Sequence, residues 1–224
     1  GAAASVGWVA RKAKRSTSRP SSSARELIAG GTGIIAFNVL HAITLRADLI
    51  VLQLTSTSAQ VGLYAAPAGL VTAALALSNA YRPRIQQAAM TARPMPKIAH
   101  NVLQVIALGA LASVALWAAT PLIVDVVFGS EFEQSKPVMR VLAVAIVPFL
   151  IVDLVFAALI VIGRQRDLLI VAGGTAAINI VMLCILCPLV GALGAAWASV
   201  LSYGLGTLLG WVVLRRAARI EARR

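Results

Sequence analysis

The sequence predicts an all-α fold: a polytopic membrane bundle of six transmembrane helices. Three observations carry that prediction. Hydrophobic residues make up 59% of the 224, charged residues 12%, and the mean hydropathy is +0.87, a balance outside that of soluble domains. Uncharged runs are long enough to cross a bilayer, which takes about 18 or more residues: Leu27–Leu45, Leu49–Tyr81, Val102–Val124 and Leu168–Leu214. The basic residues alternate between the connecting segments, gathering on one side of the predicted spans.

Residues 1–25 form a basic tail with Arg11, Lys12, Lys14, Arg15, Arg19 and Arg25 and no acid. SRPSSSAR within it reads as a linker, and its charge suits anionic lipid headgroups. The chain opens on Gly and has no secretory signal pattern, and it reads as a piece of a longer protein.

The bundle occupies 26–216. Its first helix covers 26–54, with Gly30, Gly31 and Gly33 allowing close helix approach, and TSTSAQVG turns the chain into a second helix over 60–83. YRPRIQQAAMTARPMPK is a basic loop with Pro residues. The third helix covers 100–127 and ends at the mildly acidic turn FGSEFEQSKP. The fourth covers 138–162, with Pro148 as a bending point. GRQRD is the next basic turn.

The 47 uncharged residues from Leu168 to Leu214 would make one helix of roughly 70 Å, more than twice the hydrocarbon core of about 30 Å. CPLVGALG supplies the Pro and Gly to break it, giving helices over 167–187 and 193–214. A basic tail, 217–224, closes the chain. In this scheme 17 basic residues fall on the side of the termini, against Lys136 on the other, with Arg140 just inside the fourth helix. Excess Lys and Arg marks the cytoplasmic side, so both termini are expected in the cytoplasm, with the bundle in the cell's inner (plasma) membrane.

A net charge of +12 could suggest a nucleic-acid binder, but the cations are dispersed between apolar runs, so no nucleic-acid partner is expected. Cys184 and Cys187 form a CxxC inside an apolar run and read as ordinary packing residues. His41 and His100 are the only histidines, which excludes a His-rich metal site. No GxSxG, HExxH, P-loop or paired-acid motif is present, so neither an enzyme nor an ATP-driven pump is expected, and no cofactor.

The candidate site residues are polar groups placed inside spans. Asn38, His41 and Asp48 share a helical face with Leu45; Arg46 is offset toward Val39, Ala42 and Gln53. Thr72, Asn79 and Arg82 share a stripe on the second helix, and Asp153 lies within the fourth. Arg46, Asp48, Asn38, His41, Asn79 and Arg82 are therefore candidates to line a polar cavity, and Asp48 and Asp153 to couple to an ion. An intramembrane charge costs roughly 2.5–3.5 kcal/mol near mid-membrane and usually faces a partner or a watery space. The plainer alternatives are helix-to-helix pairing for Arg46, Asp48 and Asp153, headgroup-level placement for Arg46 and Asp48, and simple packing for His41.

Three stretches carry a family resemblance. RADLIVLQLTSTSAQVGLYAAPAGL, TPLIVDVVFGSEFEQS and INIVMLCILCPLVGALGAAWASVLSY occur in that order. They resemble the second half of Wzx-type polysaccharide flippases, in the multidrug/oligosaccharidyl-lipid/polysaccharide exporter superfamily; Asn179, Pro188, Gly191, Gly194, Ala195 and Ala196 carry the last match. The resemblance spans about 25–214 and implies two six-helix lobes around a central cavity, of which this chain matches the C-terminal one. It implies that the missing N-terminal lobe is a partner, whether cut away or a separate chain. The implied cargo is a polyprenyl-pyrophosphate-linked oligosaccharide, moved from inner to outer leaflet by alternating access within membrane lipid. Such an anionic cargo calls for fixed positive charge, and Arg46 is the basic residue deepest within a span.

The same residues allow other functions. A cation-coupled multidrug exporter, or a peptidoglycan-precursor flippase, keeps the fold and changes the cargo; in the exporter Asp48 and Asp153 would dominate. A membrane-embedded polymerase or glycosyltransferase would need a sizeable loop of catalytic residues on the outer side, where this chain has only short turns. A non-transporting scaffold subunit is the fourth reading.

Overall fold

The computed structural model describes residues 24–73, 95–161 and 163–221. Every long element among them is helical: α1 (Ala24–Thr55), α2 (58–73 as described), α3 (Met95–Ile123), α4 (Ser135–Val161) and a final helical stretch, Gln165–Glu221. Four helices among the described residues are long and apolar enough to cross a membrane, over Gly31–Thr55, Leu103–Phe128, Ser135–Ile160 and Gln165–Leu214. The rest of the predicted second helix, 74–83, and the loop to 94 lie outside the described residues, as do 1–23 and 222–224.

The last stretch is folded back on itself. Gly191 has φ 59° and ψ −133°, far from helical values. Across this break Asn179 Nδ2 donates to Ser202 Oγ at 3.0 Å. A straight helix would hold residues 23 apart roughly 35 Å from one another. Gly174 lies against Leu209 and Gly206 against Thr175, the pairing of an antiparallel hairpin. We therefore describe α5 (165–190) and α6 (192–221). The break falls within the CPLVGALG segment that predicted it. Pro188 does not stop α5; Gly191 does, because its positive φ suits a residue without Cβ. The last helix runs on to Glu221, past the predicted end at 214, since RRAARIE is made largely of good helix formers.

The third helix gives way to a π-turn, Val124–Phe128, closed by Gly129 N donating to Val124 O at 2.9 Å, and then to a short 3-10 turn, Ser130–Phe132. Gly129, with φ 85°, makes the reversal. Lys136 closes this turn with ion pairs to Asp125 at 2.8 Å and Glu133 at 3.3 Å. The chain then returns along α3 as α4: Ser113 Oγ donates to Ala143 O at 2.7 Å, and Gly109 lies against Leu150.

α4 is the central element. It is the most deeply buried of the described apolar helices, and α3 the least. It packs on α3, on α5–α6 and, through Phe149 and Phe156, on α1. Small residues set these approaches: Gly210 on α6 meets Val155 on α4. The outward faces are apolar, as on α6, where Trp197, Leu201, Leu205, Leu208 and Trp211 form an exposed stripe at helical spacing.

Candidate functional site

The side chains of α1 sort into two faces. Phe37, Thr44, Ala47 and Leu52 are buried, with His41 and Asp48 half-buried between them on the same inward stripe. Ile35, Val39, Ile43, Ile50 and Leu54 are exposed on the other side. His41 and Asp48 therefore share a face, as their spacing predicted. Asn38 lies just past that stripe and is exposed. Arg46 is exposed too, among Val39, Ile43 and Ile50, so it does not join Asp48 in the inward site. Two residues along an α-helix turn about 200°, which separates Arg46 from Asp48.

Asp48 faces a partly open cavity of about 50 Å³ between four helices: Asp48 and Leu45 from α1, Tyr64 and Thr72 from α2, Phe149 from α4, and Ser199 and Tyr203 from α6 among its walls. The Tyr64 hydroxyl donates to Asp48 Oδ2. The Leu49 amide donates to Oδ1 at 2.8 Å, so each carboxylate oxygen has a donor. Tyr64 is 1% exposed, so this hydrogen bond joins α1 to α2 in the interior.

A second cavity, of about 10 Å³, adjoins the first, sharing Phe149 and Tyr203; His41, Thr44, Phe156 and Thr175 also line it. Phe149 and Tyr203 meet edge to face at 5.0 Å and form the common wall. His41 stacks on Phe37 at 5.6 Å and meets Phe156 at 5.9 Å, so its ring is packed among aromatic neighbours. The larger cavity has room for a few water molecules.

Asp153 is buried, 3% exposed, lines neither cavity and interacts with the surrounding protein. Asn79 and Arg82 lie outside the described residues; Thr72, from the same predicted stripe, reaches the Asp48 cavity. Arg140, near the start of α4, stacks over the Trp117 ring at 5.2 Å. Among the described residues no group of three His, Cys, Asp or Glu could hold a metal ion.

Sequence reasoning missed Tyr64, Ser199 and Tyr203 as site residues. A signal was available for Tyr64, a phenol in mid-span that needs a hydrogen-bond partner when buried. Fold and site together define an all-helical protein with several helices built to cross a membrane and an ionisable group held between them. Comparison with protein-family models, curated proteins and solved structures found no match.

Proposed function

We propose that this chain is one lobe of a membrane transporter, a flippase for a polyprenyl-pyrophosphate-linked oligosaccharide, crossing the membrane six times with both termini cytoplasmic. The two arms of the Gly191 hairpin and the α2 segment support six crossings, added to α1, α3 and α4. The observation that carries the transport reading is Asp48, a carboxyl group held between four helices beside a small space. Proteins rarely keep an ionisable group within a span unless it serves a pathway or a relay. The cavity walls come from α1, α2, α4 and α6, so a shift among these helices changes its size.

Arg46 supports the choice of cargo. A guanidinium on the exposed face of α1 suits a water-filled path shared with a second lobe, where it meets the pyrophosphate. In the full-length protein Arg46→Ala is expected to lower surface-polysaccharide export at least tenfold at unchanged protein level, with Arg46→Lys recovering part of it. Export equal to the parent would remove the cationic role.

The inward position of Asp48 favours a second reading, a cation-coupled drug exporter of the same build. The two separate on Asp48→Asn: an exporter loses drug resistance while polysaccharide export stays unaltered.

A further inference from the structure

We infer that Gln60 is a latch that fastens the α1–α2 hairpin to the α5–α6 hairpin at the Gly191 end of the bundle. Gln60 Oε1 accepts a hydrogen bond from Ala192 N at 2.9 Å, across 132 residues of sequence. Ala192 opens α6, so its N–H has no partner within the helix, and the Gln60 side chain caps it from a different hairpin. The space at Gly191 is shaped to the same contact: a Cβ there would stand 2.6 Å from Gln60 Oε1.

The position of Gln60 ties the latch to the interior. Gln60 and Tyr64 are one turn apart on α2 and face the same way. Tyr64 reaches α1 through Asp48, while Gln60 reaches α6. Beneath them Leu52, Tyr64, Cys187, Ala192, Ala195 and Ala196 belong to one packed core. The α6 side of that core is alanine, which offers little side-chain interlock. Freed from Ala192, α2 can part from α6 at this end and admit water toward Cys187, one turn before Gly191.

Cys187, 1% exposed, is a native reporter of that opening, and Cys184, which is exposed, is removed by Cys184→Ala. The experiment labels the full chain, purified in detergent, with a charged, water-soluble methanethiosulfonate and follows modification of Cys187. Gln60→Met keeps the length of the side chain and loses the acceptor; it is expected to raise the labelling rate roughly two- to tenfold, the equivalent of one lost hydrogen bond. Gln60→Glu keeps an acceptor at a helix N-terminus and is expected to label at the parent rate. Labelling of Gln60→Met at the parent rate overturns the latch, as does Gln60→Glu labelling as fast as Gln60→Met. The readout is independent of transport, so it stands apart from the function proposed above.

Discussion

Gly194→Ala is expected to destabilise the folded bundle by about 1–3 kcal/mol, read as a lower midpoint in thermal or denaturant unfolding in detergent. A Cβ at Gly194 would stand 2.2 Å from the Leu186 carbonyl oxygen. That obstacle is backbone, so no side-chain rotation relieves it, and the hairpin itself must open. Gly204, ten residues further along α6, has nothing within 4 Å of its would-be Cβ. Gly204→Ala should therefore be neutral or stabilising, by up to about 1 kcal/mol from helix propensity. Equal effects at the two positions would contradict the tight turn at Gly191.

Tyr64→Phe is expected to cost about 1.5–3 kcal/mol, because it strips a half-buried carboxylate of one donor without offering another. Asp48→Leu should also destabilise, since the phenol, 1% exposed, loses the acceptor of its hydrogen bond and keeps only Ser199 beside it. The double variant is expected to lose clearly less than the sum of the two, since both changes remove the same bond. Strict additivity, measured by unfolding of all four proteins, would mean that the two groups do not interact. On the transport reading, Tyr64→Phe should also impair export in cells.

The helices were legible in the sequence because lipid imposes one simple demand on composition: a run of apolar residues long enough to span. The break in the 47-residue run was legible for the same reason, and Gly191 falls inside the predicted segment. The inward face of α1 was readable in part. His41 and Asp48, seven apart, point the same way, yet Asn38 does not follow them. In a helix that is apolar all round, hydropathy cannot mark which face is buried, and α1 exposes Ile35 and Val39 while burying Phe37.

The site was legible at Asp48, Thr72 and, in the adjoining cavity, His41; the rest of it comes from long-range packing. Tyr64 is 16 residues from Asp48, and Ser199 and Tyr203 more than 150. No local spacing rule reaches that far. Two of the stretches that carried the family resemblance do meet in space, through the Asp48 cavity and through the bond from Gln60 to Ala192. The third, over the turn after α3, forms the surface ion pairs of Lys136 instead.

The uneven burial of the helices bears on biogenesis. α1 leaves the ribosome well before α4 and α6, which supply much of the wall around Asp48. During that interval a newborn α1 carries both Arg46 and Asp48 toward lipid; the Leu49 amide of α1 serves one carboxyl oxygen, and α2 is the first neighbour to serve the other, through Tyr64. Early neighbours in the chain thus shelter the acid until the later helices arrive. Truncation after α2 should leave an inserted hairpin that depends on Tyr64, whereas truncation within α2, before that tyrosine, should send α1 to the quality-control proteases.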